Sequence, residues 1–277
     1  MQPLYQIDGL WHRSTNGLLY FGRRIADGKL VIIKTPPNNP TLEAIRRFQD
    51  EIRVLSRSYA GLVRVEYWYS GADGPYYVMD RMAATLLDYC GRATRSQIYV
   101  VANAIGQALT SVHAGLDLHG DVKPANILVN NGRVYLSDPI GAPGVPRSWL
   151  QPSRGGTPGY MAPELRAGLP ISRASDVYSY GATLYHLITG IVPVDGQRLD
   201  AAIQEYEIDS VMRGVVYRCC QPIAAARPSI EEAGRLLSGA TWEQVEDARR
   251  ISLTLATLGA AAVAITIGCA LGNSRAA

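Results

Sequence analysis

The stretch that most constrains this chain is His119-Gly120-Asp121-Val122-Lys123-Pro124-Ala125-Asn126-Ile127-Leu128, followed ten residues later by Asp138. Ile127-Leu128-Val129 and Val134-Tyr135-Leu136 are two apolar runs separated by Asn130-Asn131-Gly132-Arg133, and Asn-Gly between such runs predicts a β-hairpin. A hairpin folds the chain back on itself, so Asn126 before the first strand and Asp138 after the second meet at its open end. Magnesium takes hard oxygen ligands and keeps substrate phosphates in its shell, so an amide oxygen and a carboxylate converging at one point suit it. Asp121 adds a carboxylate able to take a hydroxyl proton. Those groups together are what phosphoryl transfer needs. A surface turn with scattered polar residues is the plainer reading, and the rest of the chain argues against it.

The stretch resembles the catalytic loop of the eukaryotic-type Ser/Thr protein kinases, and other motifs of that family follow in order. Val31-Ile32-Ile33-Lys34 resembles the strand carrying the phosphate-binding lysine, and Gly156-Thr157-Pro158-Gly159-Tyr160-Met161-Ala162-Pro163-Glu164 resembles the end of the activation segment. Asp176-Val177-Tyr178-Ser179-Tyr180-Gly181 and Arg227-Pro228-Ser229 match motifs of the large lobe. The resemblance covers about residues 8–238. It implies an α+β, bilobal fold: a small antiparallel β lobe with one helix over about 8–80, and a mainly helical large lobe over about 83–238. It also implies ATP and Mg2+ as cofactors and protein substrates bearing Ser or Thr.

In the small lobe, Thr41 is an N-cap candidate, and Ile45, Phe48, Ile52 and Leu55 recur at helical spacing as one apolar stripe. At about 100° per residue, Glu51 lies about 40° from Leu55, at the edge of that stripe, whereas Glu43 and Asp50 point away. A half-buried carboxylate needs a cation, and Lys34 on an apolar strand needs an anion, so the two are expected to pair. In the family that pair sets the lysine on the nucleotide phosphates. Two unrelated surface charges would be the alternative.

In the large lobe, Ile98, Val101, Ile105, Leu109 and Val112 predict a core helix running into the catalytic loop, and Ser175 to Thr189 predicts a buried helix stopped by Gly190. By resemblance, Asp176 ties down the catalytic-loop backbone and Glu164 pairs with Arg227. Asp121 would accept or orient the substrate hydroxyl, Lys123 would steady the transferred group, and Asn126 and Asp138 would hold magnesium. Asp121-x-Lys123-x-x-Asn126 together with Thr157 resembles Ser/Thr rather than tyrosine kinases, with Thr157 lining the substrate. Gly17, Leu19, Ile32 and backbone groups at Asp80 and Met82 would complete the ATP site, with Met79 at its inner edge.

Departures from the family pattern carry expectations of their own. His12-Arg13-Ser14-Thr15-Asn16-Gly17 stands where a G-x-G-x-x-G loop belongs and keeps only the last glycine, which weakens the grip of backbone amides on phosphate. Ile32 replaces a small alanine over the adenine, an overpacking cost of about 1–3 kcal/mol if nothing moves. Asp138-Pro139-Ile140 replaces Asp-Phe-Gly, and proline stiffens it by fixing its own φ and restricting the residue before it. Gly120 replaces the arginine before the catalytic Asp, so phosphorylation at Ser148, Ser153 or Thr157 is not expected to be the on-switch. Residues 142–158, rich in Pro and Gly, read as a mobile loop.

Composition closes off other classes. A formal charge of +3 over 277 residues is too small to imply nucleic-acid binding. Cys90, Cys219, Cys220 and Cys269 lack metal-ligand spacing and suit a reducing compartment, and Met1 to Leu10 has no signal-peptide pattern. From Ile251 to Gly272 the chain carries no charge, about the 20 residues a bilayer core requires. Those residues are expected to form a transmembrane helix, a tail anchor preceded by a juxtamembrane linker over 239–250, in which Thr241 to Ala248 read as a short charged helix or linker or equally as the last solvated turn of the domain, and followed by the short tail 273–277. Arg249 and Arg250 before it and only Arg275 after it put the folded domain in the cytoplasm. Ala260, Ala264, Gly268 and Gly272 recur every fourth residue, a pattern that allows dimerisation. The alternatives to a membrane-tethered Ser/Thr protein kinase are a catalytically weak pseudokinase scaffold, suggested by the glycine loop and Ile32, and a small-molecule phosphotransferase. His-Gly-Asp fits the last of these, but Thr157 to Glu164 argues against it.

Overall fold

The structure, a computed structural model, describes residues 4–14, 16–71, 74–140, 157–250 and 252. Its N-terminal part is an antiparallel sheet of β1 (Tyr5–Ser14), β2 (Gly17–Arg24), β3 (Leu30–Thr35), β4 (Val65–Gly71) and β5 (Gly74–Asp80), in the order β1-β2-β3-β5-β4. Strand alternation divides its residues between two faces. Val31, Ile33 and Val78 point outward under Tyr5, Tyr20, Tyr67 and Tyr76, while Ile32, Tyr77 and Met79 join the main core. Lys34 lies opposite Tyr77 in the β3–β5 register, on that inner face.

α1 (Leu42–Leu55) starts where Thr41 Oγ1 accepts the Ala44 N–H at 3.1 Å. It buries Phe48, Glu51, Ile52, Val54 and Leu55, the expected stripe with Glu51 at its edge. The chain after α1 is fastened to the large lobe: Val63 N–H donates to Leu136 O and Leu136 N–H to Gly61 O, each at 2.8 Å. A Cβ on Gly61 would stand 2.6 Å from the Ala108 Cβ, so the close approach requires glycine. The C-terminal end of α1, and with it Glu51, is thereby referenced to the floor of the cleft.

The large lobe starts with β6 (Ala84–Thr85) and the capped helix α2 (Arg95–Ala114), which buries Val101, Ile105, Leu109 and Val112. β7 (Ile127–Asn130) and β8 (Arg133–Leu136) form the expected hairpin, with Asn131 and Gly132 at φ of 49° and 72°, as a two-residue primed turn demands. Next come α3 (Pro163–Arg166), α4 (Arg173–Thr189), α5 (Leu199–Ala202), α6 (Ser210–Cys219) and α7 (Ile230–Leu237). α4 runs through the lobe centre and ends at Gly190, φ 71°. Cys219 and Cys220 are buried free thiols and Cys90 is free and half-buried.

Residues 239–250, expected as a linker or short helix, carry a helix over 242–250, here α8. Val245 is fully buried, Arg249 Nε donates to Glu232 at 3.0 Å, and the Arg218 guanidinium lies 4.4 Å from the Trp242 ring centroid. Glu243, Gln244 and Asp247 face solvent, so the charged composition hides a one-sided contact stripe, and ordered packing continues past residue 238. No helix among the described residues is long and apolar enough to cross a membrane. The apolar run 251–272, apart from Ser252, lies outside the described residues, as do the tail 273–277, residues 141–156 with Ser148 and Ser153, and the helix face of Ala260, Ala264, Gly268 and Gly272.

Candidate active site

Lys34 is fully buried, and its Nζ lies 2.7 Å from Glu51 Oε1 and 2.7 Å from Asp138 Oδ1. β3 supplies the lysine, α1 the glutamate and the segment after β8 the aspartate, so one ammonium joins three elements and both lobes. Burial pushes the Glu51 carboxyl up to about 7, against the pull of Lys34. Burial also opposes the charge on Asp138, but Lys34 beside it holds that carboxyl below the usual aspartate range. Lys34 loses hydration yet keeps its proton more tightly than usual, because Asp138 and Glu51 outweigh the loss. The pair expected from helical spacing is present, and Asp138 turns into the cleft. It does so at φ 58°, a left-handed backbone outside the extended region that a following proline favours.

Tyr77 is a member of this cluster that sequence reasoning missed. Its hydroxyl donates to Glu51 Oε1 at 2.7 Å, and its ring stacks on Phe48 with centroids 5.5 Å apart. The β3–β5 register that places Tyr77 opposite Lys34 is a long-range pairing and cannot be read from local pattern.

The catalytic-loop residues meet around Asp121, which is almost fully buried. Lys123 Nζ donates to Asp121 Oδ2 at 2.7 Å and to Thr157 Oγ1 at 2.5 Å, and Thr157 Oγ1 donates to Asp121 Oδ1 at 3.1 Å. Asn126 Nδ2 donates to the Asp121 carbonyl and to Oδ2, at 2.9 and 2.8 Å, which turns its amide oxygen the other way. The Asn126 carbonyl accepts both the N–H and the hydroxyl of Ser137, at 2.8 and 3.1 Å, so the residue before Asp138 is registered directly on Asn126.

The loop backbone is fixed from below. Asp176 on α4 accepts the N–H groups of His119 and Gly120 at 2.9 and 2.7 Å, and His113 Nε2 lies 2.9 Å from the same carboxylate. Gly120 has φ 82°, a left-handed conformation that glycine adopts without steric cost. His119, also unassigned from sequence, is held neutral by burial, which lowers its pKa. Its Nε2 donates to Ser137 O at 3.0 Å and its Nδ1 accepts the Asp121 N–H at 3.3 Å. Glu164 and Arg227 form a two-pronged pair at 2.6 and 2.8 Å, and the remaining Arg227 N–H groups donate to the carbonyls of Ala174, Gln221 and Pro222.

The cover of the cleft is built differently. β1 runs to Ser14 and β2 starts at Gly17, so His12 is a strand residue. Gly17 packs against β3, where a Cβ would stand 2.4 Å from Thr35 O and 3.3 Å from Lys34 Cε. Leu19 lies opposite Lys34 and Phe21 opposite Ile32, which in turn faces Met79. Ile32 is fully buried and Met82 nearly so, whereas Asp80 is exposed and its carboxylate pairs with Lys29 at 2.5 Å. At the outer margin Trp11 stacks on Phe21 with centroids 5.3 Å apart, and the Arg81 guanidinium lies 4.7 Å from the Phe21 centroid.

Asn126 and Asp138 offer the hard oxygen donors that magnesium takes. No group of three or more His, Cys, Asp or Glu side chains gathers at one point among the described residues, so an ion there needs phosphate oxygens and water to complete its shell. That donor set fits a metal arriving with a nucleotide.

The chain is similar to several curated kinases. A MAP kinase kinase of Saccharomyces cerevisiae is 35% identical over 131 residues, 47% of this chain and 26% of that protein. A probable serine/threonine-protein kinase of Corynebacterium efficiens is 36% identical over 136 residues, 46% of this chain and 21% of that protein. The serine/threonine-protein kinase mos of Patiria pectinifera is 27% identical over 266 residues, 82% of this chain and 73% of that protein. The chain spans about a quarter of the length of the first two. Residues 13–252 match the family described as the protein kinase domain, and with the lysine–glutamate–aspartate cluster and the Asp121 loop in place, the chain belongs to that family.

Proposed function

We propose that this chain is a serine/threonine protein kinase that transfers the γ-phosphate of ATP to Ser and Thr hydroxyls of proteins at the cytoplasmic face of a membrane. The observation that carries the reading is the convergence of Lys123 and Thr157 on the Asp121 carboxylate, beside Asn126 and below Lys34. Asp121 orients the acceptor hydroxyl and takes its proton as the hydroxyl oxygen bonds to the γ-phosphorus and ADP departs with the bridging oxygen. Lys123 moves its charge from Asp121 to the transferred group, and Lys34, aligned by Glu51, binds the phosphates nearer the nucleoside. Asn126 and Asp138 would hold magnesium, which would supply positive charge against the phosphates. Thr157 lines the acceptor site, a contact that favours aliphatic hydroxyls over tyrosine.

The membrane part rests on sequence. Residues 251–272 carry no charge and follow Arg249 and Arg250, which suits a span with the kinase domain on the cytoplasmic side. Pairing of two such spans through Ala260, Ala264, Gly268 and Gly272 is the dimeric form of the same reading, tested by crosslinking in vesicles.

One observation favours a pseudokinase scaffold instead: of the glycine loop only Gly17 remains, and His12 belongs to a strand. Transfer of labelled γ-phosphate by the full chain in lipid vesicles, with and without magnesium, separates the two. The kinase reading expects transfer to Ser and Thr of a generic acceptor protein, abolished by Asp121→Ala and by Lys34→Ala. Nucleotide binding without transfer, or neither, replaces it with the scaffold. Flotation of the chain with vesicles, lost on deleting 251–272, tests the anchor.

A further inference from the structure

Close to Thr157 runs a segment with exposed aliphatic side chains. Gly159, two residues beyond, lies against the segment that follows α4: its N–H donates to Asp195 Oδ1 at 2.9 Å, and a Cβ on it would stand 2.0 Å from Pro193 O. That segment presents Ile191, Val192 and Val194 to solvent, 47%, 57% and 66% exposed. Leu87, 48% exposed, lies on the stretch of chain that packs against the start of that segment. It is brought there by a backbone crossing in which Gly91 N–H donates to Leu187 O at 2.9 Å and a Cβ on Gly91 would lie 2.8 Å from Gly190 Cα. Single exposed apolar residues need no explanation, but several large aliphatic side chains along one edge of a cleft mark a contact surface.

The carboxylates beside the strip are already engaged. Asp195 accepts Gly159 and, at 3.4 Å, Arg166, and Asp88 accepts the Thr85 N–H at 3.1 Å. The strip therefore offers burial of apolar area rather than ion pairing. It is also close to the chemistry. Thr157 Oγ1 touches Asp121 at 3.1 Å, and the step from Thr157 to Gly159 spans at most about 7 Å of extended chain. An extended substrate segment advances about 3.3 Å per residue, so its side chains within two or three positions of the acceptor reach the strip.

Resting on the kinase reading, we infer that Ile191, Val192 and Val194, continued by Leu87, receive the flank of the protein substrate and select acceptor Ser or Thr residues with aliphatic neighbours. The occupant is an extended segment whose Leu, Ile or Val side chains, within three residues of the acceptor, cover this strip while the hydroxyl reaches Asp121. Segments with Lys, Arg, Asp or Glu at those positions leave the strip wet and strand a charge over it.

The test uses the full chain in detergent micelles and peptides with one serine flanked by Leu or Val, or by Lys or Glu, at each of the three positions on either side. Peptide phosphorylation, autophosphorylation and ATP turnover are followed together for the natural protein and for Ile191→Lys, Val192→Lys and Val194→Glu. Aliphatic flanks on at least one side are expected to raise kcat/KM about tenfold or more through a lower KM, in line with burying one aliphatic side chain. Val192→Lys is expected to erase that advantage by raising KM, with kcat for the peptide within about twofold and an unchanged thermal unfolding midpoint. Equal kcat/KM for all flanks, or a preference that survives all three substitutions, overturns the inference even while autophosphorylation and ATP turnover uphold the kinase. Absence of phosphoryl transfer to any acceptor overturns both.

Discussion

Below the cleft, each functional group is held by several independent bonds. Asp121 is met by Lys123, Thr157 and Asn126, and the backbone before it by both oxygens of Asp176. Above it, the connection from β1 to β2 keeps only Gly17 of the glycines that would let amides wrap phosphate, and a fully buried isoleucine, Ile32, lies over the proposed base site. Positioning and electrostatics carry most phosphoryl-transfer catalysis, and those are what the floor supplies. The cover governs how nucleotide is gripped, which sets affinity more than the chemical step. The contrast teaches that departures from a family pattern matter according to where they fall: in the proposed reading they bear on the hold on nucleotide and leave the bonds around Asp121 in place.

The comparison breaks first at Asp121. Asp121→Asn is expected to lower kcat by about 10² to 10⁴ with nucleotide affinity nearly unchanged; a loss of affinity of similar size would mean that floor and cover do not divide the work this way. Asp176→Ala strands two buried N–H groups and His113 at about 1–3 kcal/mol each, so urea unfolding should show a loss of at least about 3 kcal/mol, and a loss below about 1 would mean the floor is less determined than its bonds suggest. Ile32→Ala should cost about 2–4 kcal/mol of stability while lowering the KM for ATP several-fold, and a raised KM would show that the isoleucine supports the base instead of crowding it. The smallest effect is in pH. The Glu51 carboxyl, ordinarily 4.5, sits at about 7 when folded, so the folded chain binds this proton more tightly than the unfolded one. Its contribution to stability is full below pH 4.5 and declines as pH rises toward about 7. Glu51→Gln should flatten that part of the stability–pH curve, and an unaltered slope would assign it elsewhere.

Much of the floor was legible in the sequence because its signals are local. Asn131-Gly132 declares the hairpin, Gly190 stops α4, and Asp121, Lys123 and Asn126 stand within six residues of one another. Helical periodicity was enough to single out Glu51 from the other acids of α1. What escaped depends on register and on tertiary approach. Tyr77 enters the lysine cluster through a strand pairing, the Trp11–Phe21–Arg81 stack joins parts of the chain sixty residues apart, and α8 hides one buried valine among charges.

Asp138 faces Lys34 at φ 58° with Pro139 locked behind it and without a glycine at the next position. Inhibitors that require this aspartate rotated out, to open a pocket behind it, must first break its 2.7 Å pairing with Lys34, and their apparent affinity falls in proportion to the population of the released state. Compounds confined to the space beneath Ile32 and Phe21 escape that penalty. For chemical probes of this protein, the shape of the base site is the better selectivity handle.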